Sequence, residues 1–117
     1  MTAWPQPFDL AATLTCGQCF RWKRNADGSF SGVAGGRMLT VSPQSPGDAL
    51  GDPFWRRYFD LESDYAAICA GLAAQNPVLA AALAEAPGVR ILRQDPWEAL
   101  CTFILSQNNN IPRITGI

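Results

Sequence analysis

Two short stretches carry the residue types that could do chemistry. The first is Cys16-Gly17-Gln18-Cys19, run directly into Phe20-Arg21-Trp22; the second is Asn108-Asn109-Asn110 with Arg113 three residues on. A C-x-x-C pair can be a redox dithiol or half of a zinc site. The dithiol chemistry wants a strand before the motif and a helix N-terminus after it, whereas Phe20-Arg21-Trp22 reads as strand. A structural zinc needs four ligands. The chain has no His, and its other two cysteines, Cys69 and Cys101, do not form a second pair. Cys16 and Cys19 therefore read as small residues flanking a turn, and no metal ligand is assigned. Gly17 is either an ordinary turn residue or a point where backbone comes close to a ligand, which a missing side chain permits. Phe20-Arg21-Trp22 could stack on bases; a strand with one buried face and an exposed Arg21 is the simpler account. Three consecutive Asn are poor helix formers and good caps. Each amide also offers two donors and an acceptor, which beside an Arg suits base edges or a gap in a base stack. Both readings of the triplet stay open on the residues alone.

Composition limits what these motifs can serve. Of 117 residues, 48% are apolar and only 16% charged, which fits a chain that buries a core and excludes a highly solvated, disordered one. The net charge is −1, with six basic residues up to Asp60 and three after it, so no block is strongly positive. That balance argues against duplex binding through a basic face. Any nucleic-acid contact has to be largely non-ionic or rely on positive surface from elsewhere. No stretch approaches the ~20 apolar residues of a membrane span, and the first residues lack the basic-then-apolar pattern of a signal peptide. Free thiols and a cytosolic address are the corresponding expectations, with Cys69 and Cys101 as buried packing residues on apolar helix faces.

The elements that must position the motifs divide into a sheet-forming half and a helical half. Phe8, Leu10, Ala12 and Leu14 alternate with less apolar neighbours, which predicts a strand. Further strands are expected over Cys19–Arg24, Ser29–Ala34 and Arg37–Ser42, joined by turns at Asp27-Gly28 and Gly35-Gly36. Short connections make a meander of neighbouring strands. A Ser-, Pro- and Gly-rich loop over 43–51 follows. Asp52-Pro53 opens a short helix whose Trp55, Tyr58 and Phe59 share a face. Ser63-Asp64 opens a second with Tyr65, Ile68, Cys69 and Leu72. Asn76-Pro77 opens a third, with Leu79 and Leu83 inside and Gly88 as terminator. Asp95-Pro96 opens a fourth, on which Trp97, Leu100, Cys101, Ile104 and Leu105 form an apolar stripe. Asn108–Asn110 ends it, and Asn110 caps a last helix that reaches Ile117 with no stop signal. The pattern predicts a truncated chain whose last helix and Trp97 stripe lack packing partners, and which is marginal or aggregation-prone on its own.

Four segments then carry a family resemblance. Gly17-Gln18-Cys19-Phe20-Arg21-Trp22 resembles the Gly-Gln-small-Phe-Arg-Trp signature of the 8-oxoguanine DNA glycosylases. Tyr58–Leu61 is similar to the segment between that family's two regions, Gly88–Glu98 to the run that opens its helical core, and Ser106–Ile114 to its gap-filling turn. The four occur in family order over nearly the whole chain.

The resemblance implies an α+β fold: an N-terminal antiparallel meander followed by helices that begin a helix-hairpin-helix glycosylase domain. Residues 1–51 would be the sheet part, 52–94 the helices completing and linking it, and 95–117 the incomplete start of the helical domain. It implies base-excision repair of 8-oxoguanine opposite cytosine in duplex DNA, by an enzyme that flips the damaged nucleotide out of the stack and also cleaves abasic sites. Gly17, Gln18 and Phe20 would face the base. The Gly17 carbonyl would accept the N7–H of 8-oxoguanine, where normal guanine presents a second acceptor. Asn108, Asn109, Asn110 and Arg113 would contact DNA, with Asn108 filling the vacated space and Arg113 reading the estranged cytosine.

The chain departs from the family in two places. Cys19 stands where Ser, Ala or Thr is usual, placing an oxidisable thiol near the base. The family's nucleophilic Lys and assisting Asp have no counterpart, since the single lysine is Lys23. No catalytic residue, cofactor or metal is therefore expected, and the chain alone should be inactive. The longer enzyme would be a monomer, away from membranes, at the bacterial nucleoid or in a eukaryotic nucleus. Alternatives are an alkyl-base glycosylase of the same superfamily, a non-catalytic module that reads damaged DNA, and a redox or zinc protein built on Cys16 and Cys19.

Overall fold

The computed structural model describes residues 3–117. Three strands, β1 (Trp22–Arg24), β2 (Phe30–Ala34) and β3 (Arg37–Val41), form an antiparallel meander in the order β1-β2-β3. Helix α1 (Leu10–Thr15) precedes the sheet; α2 (Pro53–Tyr58), α3 (Tyr65–Gln75), α4 (Pro77–Glu85), α5 (Pro96–Ser106) and α6 (Ile111–Gly116) follow it. The α+β class and the meander expected from the sequence are what the chain adopts.

The stretch expected as a first strand is instead α1. The Asp9 carboxylate accepts the Ala12 N–H at 2.9 Å, an N-cap bond. The buried residues Leu10, Thr13 and Leu14 fall at i, i+3 and i+4. Leu10 and Leu14 satisfy either period; the cap and the buried Thr13 select the helix. Six residues are too few to hold a helix unaided. The remaining restraint comes from Gly88, whose carbonyl accepts the Asp9 N–H at 2.7 Å and the Thr13 hydroxyl at 3.4 Å. Gly88 is thus no helix terminator: α4 has already ended at Glu85. A methyl group on Gly88 would run into the Asp9 amide and come within 2.8 Å of Asp9 Cβ and 3.0 Å of the Phe8 carbonyl carbon. The second expected strand shortens to β1, so the described residues form three strands and not four, and the 43–51 loop contains a 3-10 turn over Gly47–Leu50.

The core lies between the sheet, α1 and α2, and it is aromatic. Trp4, Phe8, Phe30, Trp55, Tyr58 and Phe59 are buried together, with Trp22 packed against them. Trp22 pairs across the sheet with Gly32, and its indole occupies the space a side chain there would need. Its Nε1–H donates to the Tyr58 hydroxyl at 3.0 Å.

The helices beyond residue 64 behave differently. All keep their predicted caps: Asp64, Asn76, Asp95 and Asn110 each accept a backbone N–H from the first turn. Apart from the buried Tyr65 and Ile114, however, their apolar faces stay open. Ile68, Leu72 and Leu79 are exposed where inward faces were expected, and Leu83, Cys69 and Cys101 are only half-buried. On α5, Trp97 is 72% and Phe103 63% exposed. Periodicity gives the direction of an apolar face but not what lies opposite it.

Asp60 and Arg90 tie the two parts together. Asp60, at φ 53°, closes the turn after α2. Its carboxylate accepts from Tyr65 Oη at 2.7 Å, Ser63 Oγ at 2.8 Å and Arg93 Nε at 3.0 Å. Burial works to raise the Asp60 pKa, but these bonds outweigh it and hold the carboxyl below its ordinary value.

Two outcomes follow for stability. Gly88→Ala should lower unfolding free energy by roughly 3 kcal/mol, as overpacking against unyielding backbone does; an unchanged urea midpoint would refute the close approach. The second concerns Asp60, whose pKa is lower folded than unfolded. Its contribution is complete above about pH 4, the unfolded value, and is lost as pH falls through the folded one. Asp60→Asn, which tolerates the same backbone angle, should therefore melt at lower temperature than the parent at pH 7. The gap should close toward pH 2, and a constant gap would exclude the charge as its cause.

Candidate nucleic-acid interface

The Cys16–Arg21 loop joins α1 to β1. Cys16 ends the helix, and Gly17 then takes φ +98°, a conformation that strains any side-chain-bearing residue. Gln18, expected among the base-facing residues, turns its amide inward. Its Nε2 donates to Thr13 O at 3.0 Å and to Arg90 O at 2.8 Å, and its Oε1 accepts the Leu92 N–H at 3.0 Å. Its backbone carbonyl accepts from Gln94 Nε2. The side chain is fully engaged with the frame, leaving the Gly17 backbone as the polar group this turn can offer. Phe20 is half-buried and joins none of the ring pairs of the core. Arg21 pairs with Glu98 of α5 at 3.3 Å, both partly exposed, a contact of at most about 1 kcal/mol.

The C-x-x-C pair divides into unlike halves. Cys16 is exposed; Cys19 is buried, donating weakly to Leu14 O at 3.6 Å. Burial, with Cys16 and Glu98 nearby, pushes the Cys19 thiol up to about 12. A thiol held protonated is a poor nucleophile and a poor metal ligand, which disfavours both the redox and zinc readings and an easily oxidised Cys19.

The second stretch connects α5 to α6, and its three asparagines do different things. Asn109 Nδ2 donates to Leu105 O at 2.9 Å, capping α5, and its Oδ1 accepts the Asn110 N–H at 2.9 Å. Asn110 Oδ1 accepts the Arg113 N–H at 3.0 Å, capping α6. Asn108 sits in the left-handed region at φ 50° and is exposed. Among the described residues its side chain makes no hydrogen bond, and the exposed Arg113 makes no ion pair. Capping thus accounts for Asn109 and Asn110, and Asn108 is left with a free amide. No acidic residue occurs after Glu98. The two stretches also meet: a Cβ placed on Gly17 would lie 4.0 Å from Ile111 Cδ1, at the head of α6.

A family profile described as the N-terminal domain of 8-oxoguanine DNA glycosylase matches residues 2–52 and 50–100. The chain belongs to that family. Among its relatives, N-glycosylase/DNA lyase OGG1 of Arabidopsis thaliana is 32% identical over 124 residues, covering 91% of this chain and 32% of that protein. The N-glycosylase/DNA lyase of Saccharomyces cerevisiae is 68% identical over 28 residues, 24% of this chain and 7% of that protein. Among solved structures, MBOgg1 in complex with a low-affinity DNA ligand superposes with TM-score 0.78 at 43% identity, over 92% of this chain and 39% of that one. The Clostridium acetobutylicum 8-oxoguanine glycosylase/lyase, bound to duplex DNA with cytosine opposite 8-oxoguanine, superposes with TM-score 0.78 at 37% identity, covering 92% and 39%. The chain thus spans between a third and two-fifths of the length of the relatives that align with nearly all of it.

The cysteine geometry of this family member is directly measurable. Brief alkylation at pH 8 should modify Cys16 in the native protein and Cys19 only after denaturation, read by peptide mass spectrometry. Equal native labelling, or a native disulfide between the two, would contradict the buried thiol.

Proposed function

We propose that this chain supplies the lesion-reading and DNA-wedging part of a base-excision glycosylase/lyase that acts on 8-oxoguanine opposite cytosine in duplex DNA. The supporting observation is the approach of the Gly17 turn to Ile111 at the head of α6, the helix that carries the unpaired Arg113 and directly follows the Asn108 turn. In this reading the flipped base presents its N7–H to the Gly17 carbonyl. Guanine would oppose two acceptors, and an unsatisfied buried acceptor costs about 1–3 kcal/mol. Asn108 enters the emptied stack, and Arg113 donates to the estranged cytosine, supplying hydrogen bonds that the lost base pair no longer provides. Phe20, beside the turn, offers a ring for the base, and Gln18 serves it indirectly through the frame. The longer enzyme acts as a monomer at the chromosome, and the bond-breaking groups lie outside this chain. Lys23, exposed on edge strand β1, is its only amine-bearing side chain.

Fluorescence anisotropy on matched duplexes tests the proposal. The chain should bind the 8-oxoguanine:cytosine duplex about tenfold more tightly than the guanine:cytosine duplex, as one unsatisfied acceptor dictates. Arg113→Ala should weaken binding to the lesion duplex, and borohydride should trap no covalent adduct. Equal affinity for both duplexes refutes lesion reading, and a trapped adduct refutes the assignment of chemistry elsewhere.

A further inference from the structure

We infer that Gln94 is a positioning residue, holding Gln18 so that the Gly17 carbonyl points in a fixed direction. The specificity part of this inference rests on the lesion-reading function proposed above; the positioning part does not.

A peptide unit is planar. The Gly17 carbonyl therefore shares a rigid plate with the Gln18 N–H and Cα, and fixing Gln18 fixes that plate at one end. The other end is Gly17, the residue type least able to restrain its own dihedrals. Gln18 is held by four bonds from two parts of the chain: by Thr13 O in α1, and by Arg90 O, Leu92 N and Gln94 Nε2 in the segment before α5. The first three bonds act on the end of its side chain, which is joined to the backbone through rotatable bonds. Only Gln94 acts on the Gln18 main chain itself. Its Nε2 donates to the carbonyl immediately after the plate, and that bond stops Gln18 from rocking.

Gln94 is also next to Asp95, whose carboxylate caps α5 by accepting the Glu98 N–H at 3.0 Å. The Asn108 turn stands at the far end of that helix. The same side chain thus links the carbonyl that would read the base to the helix that carries the wedge. Hydrogen bonds weaken steeply as their angles open, so a plate free to swing would lose its preference for a donor over an acceptor.

Gln94→Met keeps the side-chain length and removes the donor; Gln94→Lys restores a donor of similar reach. In the DNA-free chain, 15N relaxation should show the Gln18 N–H falling from a rigid-backbone order parameter of about 0.85 toward about 0.6 in Gln94→Met. Leu92 and Phe59 should be unmoved, and Gln94→Lys should recover the parent value. A rigid Gln18 in folded Gln94→Met overturns the positioning role whatever the DNA result. The ratio of affinities for lesion and plain duplexes should fall about tenfold in Gln94→Met, and a preserved ratio overturns the specificity role. If the parent chain shows no preference for the lesion duplex, the proposed function fails, and the relaxation experiment still decides this inference. Gln94→Glu, isosteric and without the donor at pH 7, replaces Gln94→Met if that variant does not fold.

Discussion

An arginine that is 1% exposed is the constraint around which this fold is arranged. Arg90 has no carboxylate against it. Its Nη1 donates to the carbonyls of Asp60 at 2.8 Å and Ser63 at 3.4 Å, and its Nη2 to the carbonyl of Pro5 at 3.3 Å. The rings of Tyr65 and Phe8 lie 4.3 and 5.4 Å from its centre. Burial draws its pKa down, yet an arginine stays charged at any pH a protein meets. The cost of leaving such a charge unmet is several kcal/mol, so the chain must bring these groups to it. The left-handed turn at Asp60 faces one carbonyl inward, while its carboxylate gathers Tyr65, Ser63 and Arg93 on the outside. The segment before α1, the turn after α2, the start of α3 and the strand-like run before α5 are all held by one side chain.

The Arg90 backbone carries that order to the candidate site. Its N–H donates to Thr13 Oγ1 at 3.2 Å, and its carbonyl receives Gln18 Nε2. The Gly17 turn is thus tied to the backbone of a buried arginine, not hung on a flexible loop. The Arg21–Glu98 pair beside it is too exposed to do this work. Directional hydrogen bonds to backbone, spaced over three elements, supply what a surface ion pair cannot.

Legibility in the sequence followed the range of the deciding interaction. Asp52-Pro53, Asn76-Pro77 and Asp95-Pro96 announced their helices correctly because cap and first turn are adjacent in the chain. Gly35-Gly36 announced the β2–β3 turn for the same reason. The segment from Phe8 to Leu14 was misread because two periodicities fit it, and part of what settles it is Gly88, 75 residues beyond Thr13. Asn110 could be read as a cap; Asn109 reaching back to Leu105, leaving Asn108 free, could not. Gln18 was placed facing the base only through the family resemblance, and its residue type says nothing about where its amide turns. Its true partners at Arg90 and Leu92 lie more than seventy residues away and leave no mark on local pattern. The Gln94 bond is equally silent.

The net charge of −1 is also a weak argument against DNA, and the reason is local. Nearly all the acidic residues are committed to the fold. Asp9, Asp52, Asp64 and Asp95 cap helices, where a carboxylate meets the positive end of the dipole. Asp27 closes the turn before β2, Asp60 anchors its network, and Glu62 and Glu98 are paired with Arg56 and Arg21. Fields between exposed charges fade within ~8–10 Å at physiological salt, so a phosphate at the α5–α6 turn responds to that turn and not to the total. There the nearest charged side chain along the sequence is the free guanidinium of Arg113, and no acidic side chain follows Glu98. A chain can be acidic on balance and still present a surface that an anion approaches without repulsion, provided its carboxylates are spent holding the fold together.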